Sequence, residues 1–177
     1  MIVIISDVNN EGVGKALYNY LISNNEEVEF ISASERNIKP CYCCDGCTYK
    51  TYGKCVVRDD MDQILPIIIK GDIVVYTSPL IWGGFSYDIK KILDKTALIG
   101  NRFYKTRNKE IVKGTISNNK KIIGIGVSEI ASKMEQSSFE YFLKEVGTIM
   151  NIEYLGKVVN PTITDDELQN LAREVLL

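Results

Sequence analysis

All five cysteines fall within one short stretch, PCYCCDGCTYKTYGKC from Pro40 to Cys55, as Cys41, Cys43, Cys44, Cys47 and Cys55. Thiolates are nucleophiles, redox groups and ligands for soft metals, so gathering them in one loop points to metal or redox work. Disulfide stapling is a poor account, because the count is odd and a chain of 177 residues buries a full core without staples. Thiolates also bind zinc, although this spacing is not that of two C-x-x-C knuckles. The chain has no histidine. That removes His-based triads and His-based zinc sites and leaves the chemistry to other side chains or to a cofactor.

Charge and hydropathy narrow the partners. A formal net charge of −2 gives no reason to expect nucleic acid. The opening MIVIIS carries no basic leader or cleavage site, and no apolar run is long enough to span a bilayer. The expectation is a cytoplasmic protein with no membrane partner, where clustered thiols stay reduced.

The loop of thiols must be positioned by an alternation of short apolar strands and amphipathic helices. IVIIS (Ile2 to Ser6) predicts a buried strand, followed by a helix from about Gly12 with Val13, Leu17 and Leu21 on one face. EVEFIS (Glu27 to Ser32), DIVVYTSP (Asp72 to Pro79), KKIIGIGV (Lys120 to Val127) and EYLGKVV (Glu153 to Val159) predict four more strands. Helices are expected at RDDMDQIL, where Asp59, Asp60 and Asp62 complement the positive end of the dipole, and after Ser86. Two more follow, over SSFEYFLKEVGTIM with Phe139, Phe142, Leu143 and Val146 inward, and at the capping box Thr164 to Glu167. The pattern is that of an α/β, flavodoxin-like, doubly wound sheet of five parallel strands in order 2-1-3-4-5, one domain over residues 1–177. In such a sheet the sites lie beyond the carboxyl ends of the strands, in the loops that begin at Asp7, Ala33, Ser78 and Ser128. The cysteine loop, 40–58, is one of these. The basic stretch 96–119, with Arg102, Lys105, Arg107 and Lys109, shows no clear period and reads as a solvated loop or as a lid or subunit contact.

The block KPCYCCDGCTYKTYGKCVVRDDM, followed after one helix by DIVVYTSPLIWGGFSYDIKKILDK, resembles the flavodoxin-like NAD(P)H-dependent FMN reductase family, in particular the branch that includes the iron–sulfur flavoproteins. The likeness is close from about Lys39 to Lys95 and looser elsewhere. It implies an FMN site made of three loops. Ser78, Pro79, Leu80, Ile81, Trp82 and Gly83 would run along the isoalloxazine ring, with the backbone of Leu80 to Gly83 near its polar edge. Gly126 and the loop as far as Glu129 would close the other side. The phosphate would lie in SDVNNEGVGKAL, at Ser6, Asn9, Gly12, Val13 and Gly14, where free N–H groups at a helix start can cradle an anion. Here the sequence departs from the family. Asn9 stands about where the family places an arginine, and Asp7 and Glu11 bring negative charge toward a dianion, with Lys15 a candidate to offset one of them. GVGK is not a triphosphate-binding loop, since it lacks the first glycine at the required spacing and the following Ser or Thr.

For the cysteines, the resemblance implies that Cys41, Cys44, Cys47 and Cys55, spaced C-x2-C-x2-C-x7-C, are ligands of a [4Fe-4S] cluster, with Cys43 a bystander. The alternative is a metal-free loop whose thiols are small polar neighbours of the flavin. The function implied is an FMN-dependent oxidoreductase, a homodimer or higher homo-oligomer, that passes electrons from NAD(P)H through FMN to an acceptor. The flavin carries the chemistry, so no catalytic side chain is named. Two other readings stay open: an iron–sulfur flavoprotein for electron transfer, and a cofactor-free flavodoxin-like protein acting by contacts alone, which the altered phosphate loop favours.

Overall fold

The computed structural model describes residues 1–7, 12–117 and 119–177. From the amino end, β1 (Ile2–Ser6) leads to α1 (Gly12–Ser23), β2 (Val28–Ser32), a single turn α2 (Gly46–Tyr49) inside the cysteine loop, α3 (Met61–Lys70), β3 (Ile73–Pro79) and α4 (Tyr87–Lys95). A 3-10 turn (Thr96–Ile99) and the strands β4 (Lys105–Arg107) and β5 (Glu110–Val112) come next. The chain finishes with β6 (Lys121–Val127), α5 (Lys133–Met150), β7 (Glu153–Val159) and α6 (Asp165–Leu176).

Five strands pair in the order β2-β1-β3-β6-β7, every pairing parallel. This is the expected 2-1-3-4-5 arrangement, with β6 and β7 as its last two members. The sheet is buried on both faces, which is why its central strands read as unbroken apolar runs. On one face Val3, Ile5, Val74 and Tyr76 meet Ile64, Ile68, Ile89, Ile92, Phe139 and Leu143 of α3, α4 and α5. On the other, Ile2, Ile4, Val75, Ile123 and Ile125 meet Leu17, Leu21, Leu171 and Val175 of α1 and α6. Among the described residues no helix is long and apolar enough to cross a membrane.

The structure departs from the sequence reading in three places. Helix α5 begins before the expected Ser137, because Ser132 and Glu135 form a reciprocal capping box. The S-x-x-E signal for it, SKME, stands in the sequence. The basic stretch, next, holds an ordered hairpin where no strand was expected, although residues 102–111 are exposed. Its antiparallel pair Lys105–Arg107 and Glu110–Val112 turns through Asn108 (φ 49°) and Lys109 (φ 67°), a two-residue hairpin turn suited to strand twist. The N–H groups of Lys113 and Gly114 donate to the Ile149 carbonyl at 2.8 and 2.9 Å, and the Asn119 amide donates to the Ile68 and Gly71 carbonyls at 2.7 and 2.6 Å. Strands of three residues are too short to display an alternation.

The third departure concerns the acidic residues after the cysteine loop. Asp60 accepts a hydrogen bond from the Asn37 N–H at 2.8 Å, and Asp59 accepts from the N–H groups of Lys39 at 2.9 Å and Met61 at 3.0 Å. Lys95, at the end of α4, donates to the same Asp59 carboxylate, and both side chains are only 1% exposed. Burial pushes the Asp59 carboxyl upward, but the hydrogen bonds from Lys95, Lys39 and Met61 outweigh it and hold the group below its ordinary value. Asp59 and Asp60 thus close the base of the loop, beyond the dipole role expected of them. Asp62 keeps that role in the first turn of α3, paired with Arg58 at 2.9 Å.

Candidate functional site

Strands β1 and β3 are neighbours, yet the helices that follow them lie on opposite faces of the sheet, so a crevice opens beyond their carboxyl ends. Ser78, 3% exposed at the end of β3, pins one wall of it. Its hydroxyl donates to the Pro79 carbonyl at 2.9 Å and accepts from the Ser86 N–H at 3.1 Å, which ties both ends of the intervening loop together. Within the loop, Ile81 and Gly84 exchange both backbone hydrogen bonds at 2.9 Å, and Trp82 (φ 51°) and Gly83 (φ 75°) form the type I′ turn between them. Trp82 occupies a left-handed conformation uncommon for such a residue and presents a side chain 93% exposed. Gly83 rests on α5, where a Cβ would stand 2.9 Å from Ser138 Cβ and 3.2 Å from the Glu135 carbonyl oxygen. The neighbouring wall follows from register: Ser78 pairs with Gly126, and the Leu80 N–H donates to the Val127 carbonyl at 2.9 Å. A Cβ at Gly126 would stand 2.9 Å from Leu80 Cδ1, so the loops after β3 and β6 lie close together at this glycine, and a side chain there would displace the tip of Leu80.

Of the backbone groups expected along the ring edge, those of Leu80 and Ile81 already donate within the protein. The N–H groups of Trp82 and Gly83 have no hydrogen-bond partner among the described residues, so they are the ones available to a ligand. With Ile81 47% exposed beside Trp82, the turn offers apolar area next to two free donors, which fits a flat heteroaromatic ring with a polar edge.

At the β1 end, Ser6 is buried, and Gly14 packs so closely on Ser6 and the Thr77 methyl that any side chain there would overlap them. Val13 belongs to the core through its side chain, leaving only its backbone for a ligand. Gly12 begins α1 at φ 78°, and Asn9 lies outside the described residues. Lys15 does not offset Asp7. Its ammonium lies 4.5 Å from the Tyr18 ring centre and 4.8 Å from that of Phe30, a cation–π arrangement on the α1/β2 side. Burial raises the Asp7 carboxyl above its ordinary range and the charge of Asp88 adds to this, while the Ser86 hydroxyl and Lys91 act against it. Ser86 is near enough to favour the Asp7 carboxylate, but its own buried oxygen has no partner at hydrogen-bond distance.

The cysteine loop brings the thiols to the same side of the protein as α4 without bringing them to one centre. Cys47 and Cys55 pack against the core, and Cys55 Sγ accepts the Val57 N–H at 3.4 Å, while Cys43 and Cys44 are exposed. Burial raises the Cys41 thiol pKa, and the backbone of Cys43 partly offsets that. Among the described residues, no three Cys, Asp or Glu side chains are grouped as metal ligands would be. Cys41, Cys44, Cys47 and Cys55 are therefore a complete donor set by chemistry but not an assembled one. A separate cavity of about 760 Å³, lined among others by Arg107, Asn119, Lys121, Asn151 and Tyr154, lies at the amino ends of β6 and β7 and contains none of the predicted site residues.

No family profile matches the chain. It is similar to an iron–sulfur flavoprotein of Methanocaldococcus jannaschii, 37% identical over 70 residues, which cover 40% of this chain and 35% of that protein. A second iron–sulfur flavoprotein of the same organism is 29% identical over 98 residues, covering 55% of this chain and 46% of its own length. The similarity thus spans less than half of each of these relatives. Among solved structures, the NAD(P)H:quinone oxidoreductase of Methanothermobacter marburgensis superposes with a TM-score of 0.63 at 10% identity, covering 97% of this chain and 89% of that one. The strand order, the crevice at β1 and β3 and these likenesses agree: the chain is a flavodoxin-like α/β protein related in sequence to the iron–sulfur flavoproteins.

Proposed function

We propose that the protein is a flavin-dependent oxidoreductase that takes electrons from NAD(P)H and passes them to an acceptor, with the flavin ring against the Ile81–Gly84 turn. The observation that carries this reading is that turn: a fixed type I′ hairpin at the sheet's crevice, with two unpartnered N–H groups beside exposed apolar side chains. Once bound there, a flavin supplies the hydride-accepting chemistry that this chain, without histidine, does not. Ile81 and Trp82 hold the ring by apolar contact, and the N–H groups of Trp82 and Gly83 orient its polar edge. Ser78 and the contact of Gly83 with α5 keep the turn from swinging, which preserves the alignment that hydride transfer requires. The resemblance implies FMN as the flavin and a homodimer as the assembly, and the thiol-rich loop suits a reducing cytoplasm. The quinone oxidoreductase among the structural neighbours supports a nicotinamide donor. NAD(P)H oxidation under air should depend on protein and saturate with added flavin. A rate no higher than that of free flavin, with either nicotinamide, would contradict the proposal.

A second reading, electron transfer through an iron–sulfur cluster, is favoured by the names of the sequence relatives and by the C-x2-C-x2-C-x7-C spacing. It requires the loop to close so that the four thiols converge on one centre. Anaerobic reconstitution should then give about four irons per chain. Cys44→Ala is expected to abolish iron uptake and Cys43→Ala to leave it unchanged, as read by iron analysis. Equal effects of the two substitutions, or an iron-free protein with all thiols reactive, would exclude this reading.

A further inference from the structure

The hairpin of β4 and β5 gathers positive charge on a chain that is slightly acidic as a whole. Residues 102–113 hold Arg102, Lys105, Arg107, Lys109 and Lys113 against the single carboxylate of Glu110, whereas the full chain has 21 basic and 23 acidic residues. Between this hairpin and the C-terminal end of α5 lies a cleft of about 320 Å³. Its described lining includes Lys105, Arg107, Lys113, Asn101 and Asn151, contains no carboxylate, and has one apolar side chain, Val112. Such a lining suits a small, multiply charged anion and not a flat aromatic ring.

The fold leaves these cations without counter-charges. Among the described residues none of the three takes part in an ion pair, although Arg107 stands opposite Glu110 in the hairpin register. The Lys105 ammonium has no hydrogen-bond partner among them either. Arg107 donates to Asn151 Oδ1, which holds the guanidinium at the cleft and leaves it further N–H donors. Lys113 is fixed at the wall: its stem lies on Gly100, where a Cβ would stand 3.0 Å from its Cδ, and its ammonium donates to Thr48 Oγ1 at 3.4 Å. The C-terminal end of α5 would repel an anion, but its last carbonyls are occupied. That of Ile149 accepts the N–H groups of Lys113 and Gly114, and those of Gly147 and Thr148 accept the Asn151 N–H. The cleft is also distant from the flavin turn. Gly83 meets α5 at Glu135, and the sixteen residues from there to Asn151 span roughly 24 Å of helix.

We propose that this cleft is a second ligand site, separate from the flavin turn, that binds a diphosphate group, free or carried on a larger molecule. Two neighbouring cations suit its two phosphoryl groups, and the planar guanidinium of Arg107 binds one of them as a fork. Calorimetric titration of the full chain with pyrophosphate, at low salt and without divalent metal, should show one saturable site per chain. Arg107→Gln should weaken binding about tenfold and Lys105→Gln about fivefold. Lys109→Gln is the control, because Lys109 carries the same charge at the hairpin turn but lies outside the described lining, and affinity should change by less than about twofold. Lys105 has no partner to lose, so Lys105→Gln keeps the test decisive even if Arg107→Gln disturbs the hairpin. A nucleoside diphosphate that binds as tightly as pyrophosphate assigns the site to the esterified group, and one that binds more weakly assigns it to the free anion. The absence of saturable binding would overturn the inference. So would equal losses in Lys105→Gln and Lys109→Gln, since a diffuse basic surface does not distinguish the two positions.

Discussion

Asp59→Asn is expected to lower the stability of the protein by about 3–5 kcal/mol, because it leaves the Lys95 ammonium buried without a counter-charge. Lys95→Met alone should cost less. It removes the buried cation and leaves the Asp59 carboxylate with the N–H groups of Lys39 and Met61. The double variant should recover much of the loss of Asp59→Asn, and denaturant melts of all four proteins measure the coupling. Additive effects would mean that the two side chains do not act as a pair. The pH dependence follows from the same geometry. The folded-state pKa of Asp59 lies below the ordinary 3.8, so its contribution is complete at neutral pH and is lost as the pH falls below about that value through the folded pKa. Since Asp59 and Asp60 close the base of the cysteine loop, Asp59→Asn should also speed the reaction of Cys47 and Cys55 with a thiol reagent.

The second large effect belongs to the turn. Gly83→Ala places a side chain at φ 75° and 3.2 Å from a backbone carbonyl oxygen that cannot step aside. The left-handed conformation costs about 1–2 kcal/mol for an L-residue, and the clash adds to it by lifting the turn off α5. Flavin affinity should fall about tenfold or more. Gly84→Ala is the matched control: its nearest neighbour, the Ile81 carbonyl oxygen, would stand at an ordinary 3.6 Å, and flavin affinity should stay within about twofold. Equal losses in both variants would show that the fit of Gly83 against α5 does not position the ligand.

Much of this was legible in the sequence, and the reasons are specific. A sheet buried on both faces prints itself as apolar runs such as IVIIS and KKIIGIGV, so the strands could be read without structure, while their order came only with the likeness to a flavodoxin-like fold. The wall of the crevice was legible through the resemblance that SPLIWGG carries, since Leu80, Ile81 and Trp82 taken alone read equally well as core residues. The Asp59–Lys95 pair was not, since periodicity places Lys95 on an amphipathic helix without saying what charge lies opposite it. Lys15 was misplaced for the same reason: its partners Tyr18 and Phe30 lie one helical turn and one strand away, and only folding joins them. Ser86 signals a helix start in sequence, but its unpaired hydroxyl is a property of burial alone. The inward and outward split of the cysteines depends on how the loop curls, which spacing does not fix.

The central claim is that a flavin lies on the Ile81–Gly84 turn at the carboxyl edge of the sheet. Amide hydrogen exchange of the full chain, with and without saturating flavin, tests it most directly, because the decisive N–H groups are those of Trp82 and Gly83, which have no partner within the described protein. The account predicts protection on flavin addition at Trp82 and Gly83 and across the adjoining loop after β6. Protection confined to the cavity around Arg107, Asn151 and Tyr154, with the turn unchanged, would contradict it.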